Sequence, residues 1–223
     1  MAIFDKEAKE YDNWYKSKLG GFVDKVETDS AFSLYKPTPG MKILDVGCGT
    51  GNFSIKLAEM GCKVIGIDKS GEMLSQAKEK AKNKDLDIEF HIMDIYDINF
   101  PDETFDGVFS MAAFEFIKEP KKAYNEMHRV LKKDGYLLIG TINRDSKWGE
   151  LYLSKEFQEN SVFKYADFKS MDDLKSLDIE AVVNSGECLF IPPNIEEENI
   201  NMDLERKLST SESGGFISVL WKK

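Results

Sequence analysis

Residues 43–51, Ile-Leu-Asp-Val-Gly-Cys-Gly-Thr-Gly, join a short apolar run to three glycines at alternate positions. Apolar residues at helical spacing follow the last glycine, so the glycines are predicted to lie where a buried strand turns into a helix. Glycine has no Cβ atom, so these positions allow a sharp turn and a close approach of a ligand to the backbone. Free N–H groups at the start of the helix favour a carboxylate or a phosphate.

The same strand and helix pattern repeats along the chain. Residues 62–68 read as a second buried strand ending in Asp68, and either Asp68 or Ser70 can cap the helix that follows. Residues 87–94 alternate as a third strand, and residues 105–111 form a fourth. This alternation predicts an α/β fold with a mostly parallel sheet.

The glycine stretch, with Asp45 in front of it, closely resembles the cofactor motif of class I S-adenosylmethionine-dependent methyltransferases. Residues 126–144 are similar to the helix, turn and fifth strand of the methyltransferase type 11 subgroup of small-molecule enzymes. They depart from it at residues 133–135, Lys-Asp-Gly, where Lys-Pro-Gly-Gly is usual. The dinucleotide-binding fingerprint G-x-G-x-x-G would need glycine at position 52, where this chain has Asn52.

The resemblance implies a Rossmann-like sheet of seven strands, mostly parallel with an antiparallel last strand, and helices on both faces. We expect one methyltransferase domain over residues 1–223. Within it, residues 1–36 would form a helical lid and residues 41–144 the cofactor-binding core. A small cap would follow over 145–178 and the C-terminal strands over 179–223.

The cofactor implied by the resemblance is S-adenosyl-L-methionine, with S-adenosyl-L-homocysteine as product. Asp68, at the tip of the second strand, is placed to accept hydrogen bonds from both ribose hydroxyls, although helix capping explains an aspartate there about as well. In the family, an acidic residue and the next N–H recognise adenine, and the matching residues are Asp94 and Ile95. The residues expected to bind the cofactor are Tyr11, Asp45, Gly47, Cys48, Gly49, Gly51, Asp68, Lys69, Met73, Asp94, Ile95, Ser110 and Met111.

The N-terminal residues 5–19 have the spacing of an amphipathic helix, which Gly20-Gly21 is predicted to interrupt. The segment is similar to the N-terminal helix that covers the cofactor in many small-molecule methyltransferases. That resemblance gives Tyr11 a role at the methionine end of the cofactor. Core packing explains Trp14 and Tyr15 at least as well as contact with a ligand.

The methyl acceptor is expected beyond the carboxyl ends of the first and fourth strands, where the order of a parallel sheet reverses. Glu115 is the candidate catalytic base for an acceptor that must lose a proton. It could equally orient the substrate, balance the charge of the sulfonium or lie outside the pocket. The residues expected to contact the substrate are Trp14, Tyr15, Phe114 and Asn143.

The implied reaction is a direct displacement on an activated methyl group, which needs neither a metal nor a covalent enzyme intermediate. The acceptor atom stays open between oxygen, nitrogen, sulfur and carbon. Two alternatives remain: a non-catalytic S-adenosylmethionine-binding protein and, disfavoured by Asn52, a nicotinamide-dependent oxidoreductase.

Composition limits the partners. The chain has 223 residues and a net charge of −10, which disfavours a nucleic-acid substrate. Cys48, Cys62 and Cys188 lie far apart and indicate neither disulfides nor a zinc site. No apolar run approaches the length of a membrane span, and the charged start does not resemble a signal peptide. We expect a cytoplasmic protein without membrane contact that is a monomer or a weak homodimer.

Overall fold

One mixed sheet forms the centre of the computed structural model, which describes residues 2–223. The seven strands of the sheet are β1 (Lys42–Val46), β2 (Lys63–Asp68), β3 (Ile88–Ile92), β4 (Phe105–Met111), β5 (Leu131–Ile142), β6 (Val182–Cys188) and β7 (Phe216–Lys222).

The strand order is β3-β2-β1-β4-β5-β7-β6. Each neighbouring pair from β3 to β5 is parallel, and β7 is antiparallel to both β5 and β6. The predicted Rossmann-like, mostly parallel sheet with an antiparallel last strand is therefore confirmed. The order reverses between β1 and β4, so the open crevice of the sheet lies at the carboxyl ends of these two strands.

Helices surround the sheet and bury its apolar residues. Their bounds are α1 (Tyr11–Tyr15), α2 (Lys18–Leu34), α3 (Asn52–Glu59), α4 (Gly71–Asn83), α5 (Pro120–Val130), α6 (Lys147–Leu153), α7 (Lys155–Glu159), α8 (Met171–Lys175) and α9 (Met202–Leu208). Leu44 and Val108 of the central strands are fully buried, as is Trp221 of β7, so the middle of the sheet lies in the main core. Among the helices of residues 2–223, none has both the length and the apolar character to cross a membrane.

The prediction of one helix over residues 5–19 was wrong. Residues 3–10 form turns, α1 has only five residues, and Gly20 and Gly21 lie inside α2 instead of interrupting it. Ser17 restarts the helix before the glycines, because its Oγ accepts a hydrogen bond from Gly20 N at 3.0 Å. A Cβ atom on Gly20 would lie 2.1 Å from the Trp14 carbonyl oxygen, so glycine allows the end of α1 to pack against the start of α2.

Two further segments differ from the expected ones. The helix that opens at Pro120 ends at Val130, and residues 132–135, where the resemblance implies a turn, form a bulge in β5. Asp134 there has φ +64°, a conformation that aspartate tolerates better than most residues. The first of the C-terminal strands expected over residues 179–223 begins only at Val182, because residues 179–181 form a 3-10 turn.

Glu205 of α9 organises the loop that follows β6. It is 5% exposed, and its two carboxylate oxygens accept hydrogen bonds from the backbone N–H groups of Leu189, Phe190 and Ile191 at 2.7–3.0 Å. Leu189 has φ +65°, so the carboxylate stabilises a strained turn.

Glu205→Gln is expected to lower the free energy of unfolding by about 2–4 kcal/mol, because the amide NH₂ would face buried N–H donors. Urea unfolding measures the change, with Glu198→Gln as the same substitution at an exposed position. A value for Glu205→Gln within about 0.5 kcal/mol of the Glu198→Gln value would contradict this account of the turn.

Candidate active site

The glycine loop, residues 47–51, leaves β1 at the crevice. The N–H groups of Gly47 and Cys48 both donate to the carbonyl of Ile67 in β2, at 2.8 and 3.0 Å. Gly47 has φ +70°, and a Cβ atom there would lie 2.6 Å from the Cβ of Ala113. Glycine is therefore required at this position for both its conformation and its space.

Asp68 lies beside the glycine loop at the end of β2. Its Oδ2 accepts from Gly49 N at 2.9 Å, and its Oδ1 accepts from Ser70 N at 2.8 Å. Burial raises the pKa of this carboxyl, and the hydrogen bonds from Ser70 and Gly49 oppose that shift. Asp68 therefore joins the loop to the start of α4 while keeping lone pairs free towards the crevice. The predicted capping role belongs to Ser70, whose Oγ accepts from Met73 N.

The loop cavity, a space of about 380 Å³, runs along the glycine loop. Asp94 lines this cavity, and its Oδ2 pairs with Lys69 Nζ at 2.7 Å. The volume falls in the range of small-molecule sites. The predicted cofactor residues that line the cavity are Tyr11, Gly47, Gly49, Asp68, Lys69, Met73, Asp94 and Ile95.

A small cavity of about 70 Å³ lies on the other side of the glycine loop, between the loop and α2. Charged residues line this space, among them Asp24, Glu27 and Lys56, together with apolar and polar groups. The predicted residues on its wall are Tyr11, Tyr15, Asp45, Gly47, Cys48, Gly49 and Met111. Asp45 is 1% exposed and accepts a hydrogen bond from Ser54 Oγ at 2.5 Å, yet burial raises its pKa to about 7.

The aromatic cavity, a third space of about 310 Å³, opens between the N-terminal segment and the helices after β5. Its wall consists mainly of rings, and Tyr152 stacks on Phe163 with centroids 4.5 Å apart. Trp14, Tyr15 and Glu115 of the predicted set lie on this wall. Glu115 is 2% exposed, and its Oε2 accepts from Thr141 Oγ1 of β5 at 2.8 Å.

Tyr11 and Ala112 line all three cavities, so the three spaces meet at these two residues. Ala112 follows β4 with φ +51°, an uncommon conformation for a residue other than glycine. Its N–H donates to the Gly140 carbonyl at 2.9 Å, which holds the turn in place. Burial raises the pKa of Tyr11 to about 12, so its hydroxyl keeps its proton at neutral pH.

Four predicted site residues line none of these three cavities. Gly51 is the N-cap of α3, and Phe114 is fully buried in the main core. Ser110 is fully buried in β4. Asn143 uses its side chain locally, since Nδ2 donates to the Gly214 carbonyl at 2.9 Å and Oδ1 accepts from Asp145 N at 3.0 Å.

Asp12 and Asp5 were not among the predicted site residues, yet they fasten the N-terminal segment over the site. Asp12 accepts from Thr50 Oγ1 of the glycine loop at 2.8 Å and from Lys80 Nζ of α4 at 2.7 Å. Asp5 accepts from Ser70 Oγ at 2.6 Å. Asp12 directly follows Tyr11, a predicted site residue, and this position in the sequence could have indicated its role.

Glu27 of α2 is the other residue missed, and it lines both the small and the aromatic cavities. Burial raises its pKa well above the usual range, and the charge of Glu115 raises it further. Burial also raises the pKa of Glu115, whereas the hydrogen bond from Thr141 and the charge of Lys169 lower it. Nothing in the spacing around Glu27 distinguishes it from an ordinary helix-surface glutamate.

The arrangement of glycine loop, strand-end carboxylates and adjoining cavities defines a ligand-binding α/β enzyme fold, and comparison with known proteins places it in a family. Residues 37–176 match the sequence model described as "Methyltransferase domain". An uncharacterized protein of Methanocaldococcus jannaschii is 34% identical over 174 residues, which cover 78% of this chain and 77% of that protein.

Two further relatives carry descriptions of activity. A phosphatidylethanolamine N-methyltransferase of Cereibacter sphaeroides is 41% identical over 102 residues, 45% of this chain and 50% of that protein. A crystal structure from Thermotoga maritima, described as a SAM-dependent methyltransferase and possible histamine N-methyltransferase, superposes with a TM-score of 0.77. It is 24% identical, and the match covers 99% of this chain and 98% of that one.

The chain belongs to the methyltransferase domain family and is a class I S-adenosylmethionine-dependent methyltransferase. The resemblance stated from the glycine stretch is thus confirmed.

Asp45→Asn is expected to change how stability depends on pH. The folded pKa of Asp45 is about 7 against a usual 3.8, so the folded chain binds the extra proton between these values. This group therefore lowers the free energy of unfolding as pH rises from 4 to 8, by about 4 kcal/mol for a three-unit shift. Asparagine does not titrate, so the variant should gain that amount relative to the unaltered chain over this range.

Urea unfolding of the ligand-free protein at pH 4, 6 and 8 measures the difference, with Asp172→Asn as an exposed control. Loss of the Ser54 hydrogen bond shifts the free energy of unfolding of the variant by the same amount at each pH. The informative quantity is therefore the slope of this free energy against pH. A difference between variant and unaltered chain that stays constant with pH would show that Asp45 is not held protonated by burial.

Proposed function

We propose that this protein transfers a methyl group from S-adenosylmethionine in the loop cavity to a small molecule in the aromatic cavity. The observation that carries the proposal is the junction at Tyr11 and Ala112, where the two spaces meet. A donor that fills the loop cavity and ends at this junction would present its reactive group to the aromatic cavity. A protein that only binds the cofactor has no need for the second space.

The residues of the loop cavity fit the adenosine part of the cofactor. Asp68 lines this cavity and has oxygen lone pairs for the two ribose hydroxyls. Asp94 and Ile95 line it as well, and we assign the Asp94 carboxylate and the Ile95 N–H to the adenine edge. A Cβ atom on Gly49, which also lines this cavity, would meet no atom within 4 Å, so a ligand can approach the backbone there. We assign the small cavity, with Asp45, Cys48 and Met111 on its wall, to the charged methionine end.

When bound, S-adenosylmethionine supplies an activated methyl group for displacement. The chain's own residues would orient the acceptor and exclude water at the junction, where Tyr11 keeps its hydroxyl proton and can donate a hydrogen bond. We propose Glu115 as the group that accepts the acceptor's proton, because burial raises its pKa towards the range of a general base. Trp14 and Tyr15 line the route to the acceptor.

The size of the aromatic cavity supports a small acceptor. The name of the Cereibacter relative describes methylation of an amine, phosphatidylethanolamine. The chain spans half the length of that relative, so its acceptor is not transferred to this protein. In this proposal residues 1–36 are the lid and residues 145–178 the cap over the acceptor. The predicted contacts of Phe114 and Asn143 stay proposals without a cavity position to support them.

We further propose a cytoplasmic protein that acts without a nucleic-acid or membrane partner, as a monomer or a weak homodimer. The net charge of −10 supports the absence of a nucleic-acid partner, since it repels phosphate backbones. Light scattering across a hundredfold range of concentration would measure the oligomeric state.

Asp68→Ala is expected to weaken binding of S-adenosylmethionine and S-adenosylhomocysteine by about 10- to 100-fold, the usual effect of removing hydrogen bonds to a charged group. Calorimetric titration measures both ligands, with NADH as the competing cofactor. Asp172→Ala, an exposed aspartate far from the glycine loop in sequence, is the control.

Binding of NADH alone, or of neither sulfur compound to the unaltered chain, would contradict the assignment of the loop cavity. Equal affinities of Asp68→Ala and Asp172→Ala would restrict Asp68 to its structural bonds with Gly49 and Ser70.

A further inference from the structure

The aromatic cavity has a strongly one-sided charge. Of the residues that line it, Glu7, Glu10, Glu27 and Glu115 are acidic, and among the described residues on its wall there is no lysine, arginine or histidine. Carboxylates facing a low-dielectric space repel one another unless a cation lies between them. Glu27 and Glu115 both line this space, and the charge of Glu115 adds to burial in raising the pKa of Glu27.

Glu27 and Glu115 are the two deepest carboxylates on that wall. Glu115 is 98% buried, and its one hydrogen bond to another side chain within residues 2–223 comes from Thr141. Glu27 is partly buried and takes no hydrogen bond from the described part of the chain. Buried carboxylates are normally paired or fully hydrogen-bonded. Because Glu27 has no such partner in the described residues, a ligand can supply one.

The two lysines whose charges act on Glu27 and Glu115 already form ion pairs with other residues. Lys56, whose charge acts on Glu27, forms an ion pair with Asp24. Lys169, whose charge acts on Glu115, pairs with Asp167 Oδ2 at 2.8 Å, and it does not line the aromatic cavity. Neither lysine therefore supplies a positive charge inside the aromatic cavity.

The remaining wall suits the body of an organic cation. Tyr152, Phe157 and Phe163 form one cluster, with ring centroids 4.5–5.7 Å apart. Aromatic rings attract ammonium groups through their faces and pack against hydrocarbon. Anionic or strongly hydrated neutral molecules would find carboxylates and rings but no cationic donor.

We propose that the methyl acceptor is an organic cation, an alkylammonium whose nitrogen lies between Glu27 and Glu115. The proposal rests on the proposed function and names its acceptor class. The carboxylates provide the charge that selects the ammonium, and the ring cluster holds its hydrocarbon part.

The chemistry of transfer to nitrogen balances with these groups. A primary or secondary ammonium must lose a proton to expose its lone pair, and a carboxylate of the pair accepts that proton. The new nitrogen–carbon bond forms as the methyl–sulfur bond breaks, so the sulfonium becomes a neutral thioether and the product is again an ammonium. The carboxyl then returns its proton to solvent.

A binding experiment tests the acceptor class without turnover. The protein is first titrated with S-adenosylhomocysteine, and the saturated complex is then titrated by ligand-observed NMR with phenethylamine, 2-phenylethanol and phenylacetate. A second set of butylamine, butanol and butyrate repeats the comparison on a smaller skeleton. In at least one set the ammonium should bind at least about tenfold more tightly than the alcohol, and the carboxylate should bind least.

Glu27→Gln should weaken ammonium binding by about tenfold or more and leave alcohol binding nearly unchanged. Glu180→Gln makes the same change at an exposed position and should alter neither. Affinity for S-adenosylhomocysteine, measured on each variant, reports whether the fold and the loop cavity are intact.

The inference is overturned if no ammonium binds to the saturated protein, or if in both sets the alcohol or the carboxylate binds as tightly as its ammonium. It is also overturned if Glu27→Gln weakens S-adenosylhomocysteine and spares the ammonium, because Glu27 would then serve the cofactor. A chain that binds no S-adenosylhomocysteine contradicts the proposed function itself, which separates the two failures.

Discussion

The absence of a side chain at Gly47 is the constraint on which the site depends. A Cβ atom there would overlap with Ala113, so only glycine lets the end of β1 pack against the segment that follows β4. This contact brings the glycine loop beside Ala112, whose strained backbone turns the chain at the junction of the three cavities. Strain of this kind persists only where the surrounding structure holds it, and it is common at functional sites.

Ion pairs and hydrogen bonds hold the N-terminal segment over the site. Asp12 joins the N-terminal segment to Thr50 and Lys80, so the segment that carries Tyr11 is held against both the glycine loop and α4. Because these contacts are only partly buried, they are individually modest and can open without unfolding the sheet. In the proposed lid, contacts of this strength would admit ligands and still exclude water once the segment is closed.

Sequence periodicity was sufficient for the first four strands, because they are short buried runs that end in recognisable groups, such as the glycines after β1 or Asp68 after β2. The number of strands, the antiparallel last strand and the residues expected at the cofactor came from the family resemblance. Periodicity failed where distant segments decide the outcome: Gly20 reads as a helix breaker until Trp14 is seen packed against it. Glu27 carries no local signal, since its role comes from a cavity shared with Glu115, 88 positions further along the chain.

The central claim is that the three cavities form one site, with a donor on one side of Tyr11 and Ala112 and an acceptor on the other. A crystal structure with S-adenosylhomocysteine tests it most directly. The account predicts adenosine in the loop cavity, its ribose hydroxyls hydrogen-bonded to Asp68, and the sulfur atom facing the aromatic cavity beside Tyr11. Adenosine bound elsewhere, or a sulfur atom walled off from the aromatic cavity, would contradict it.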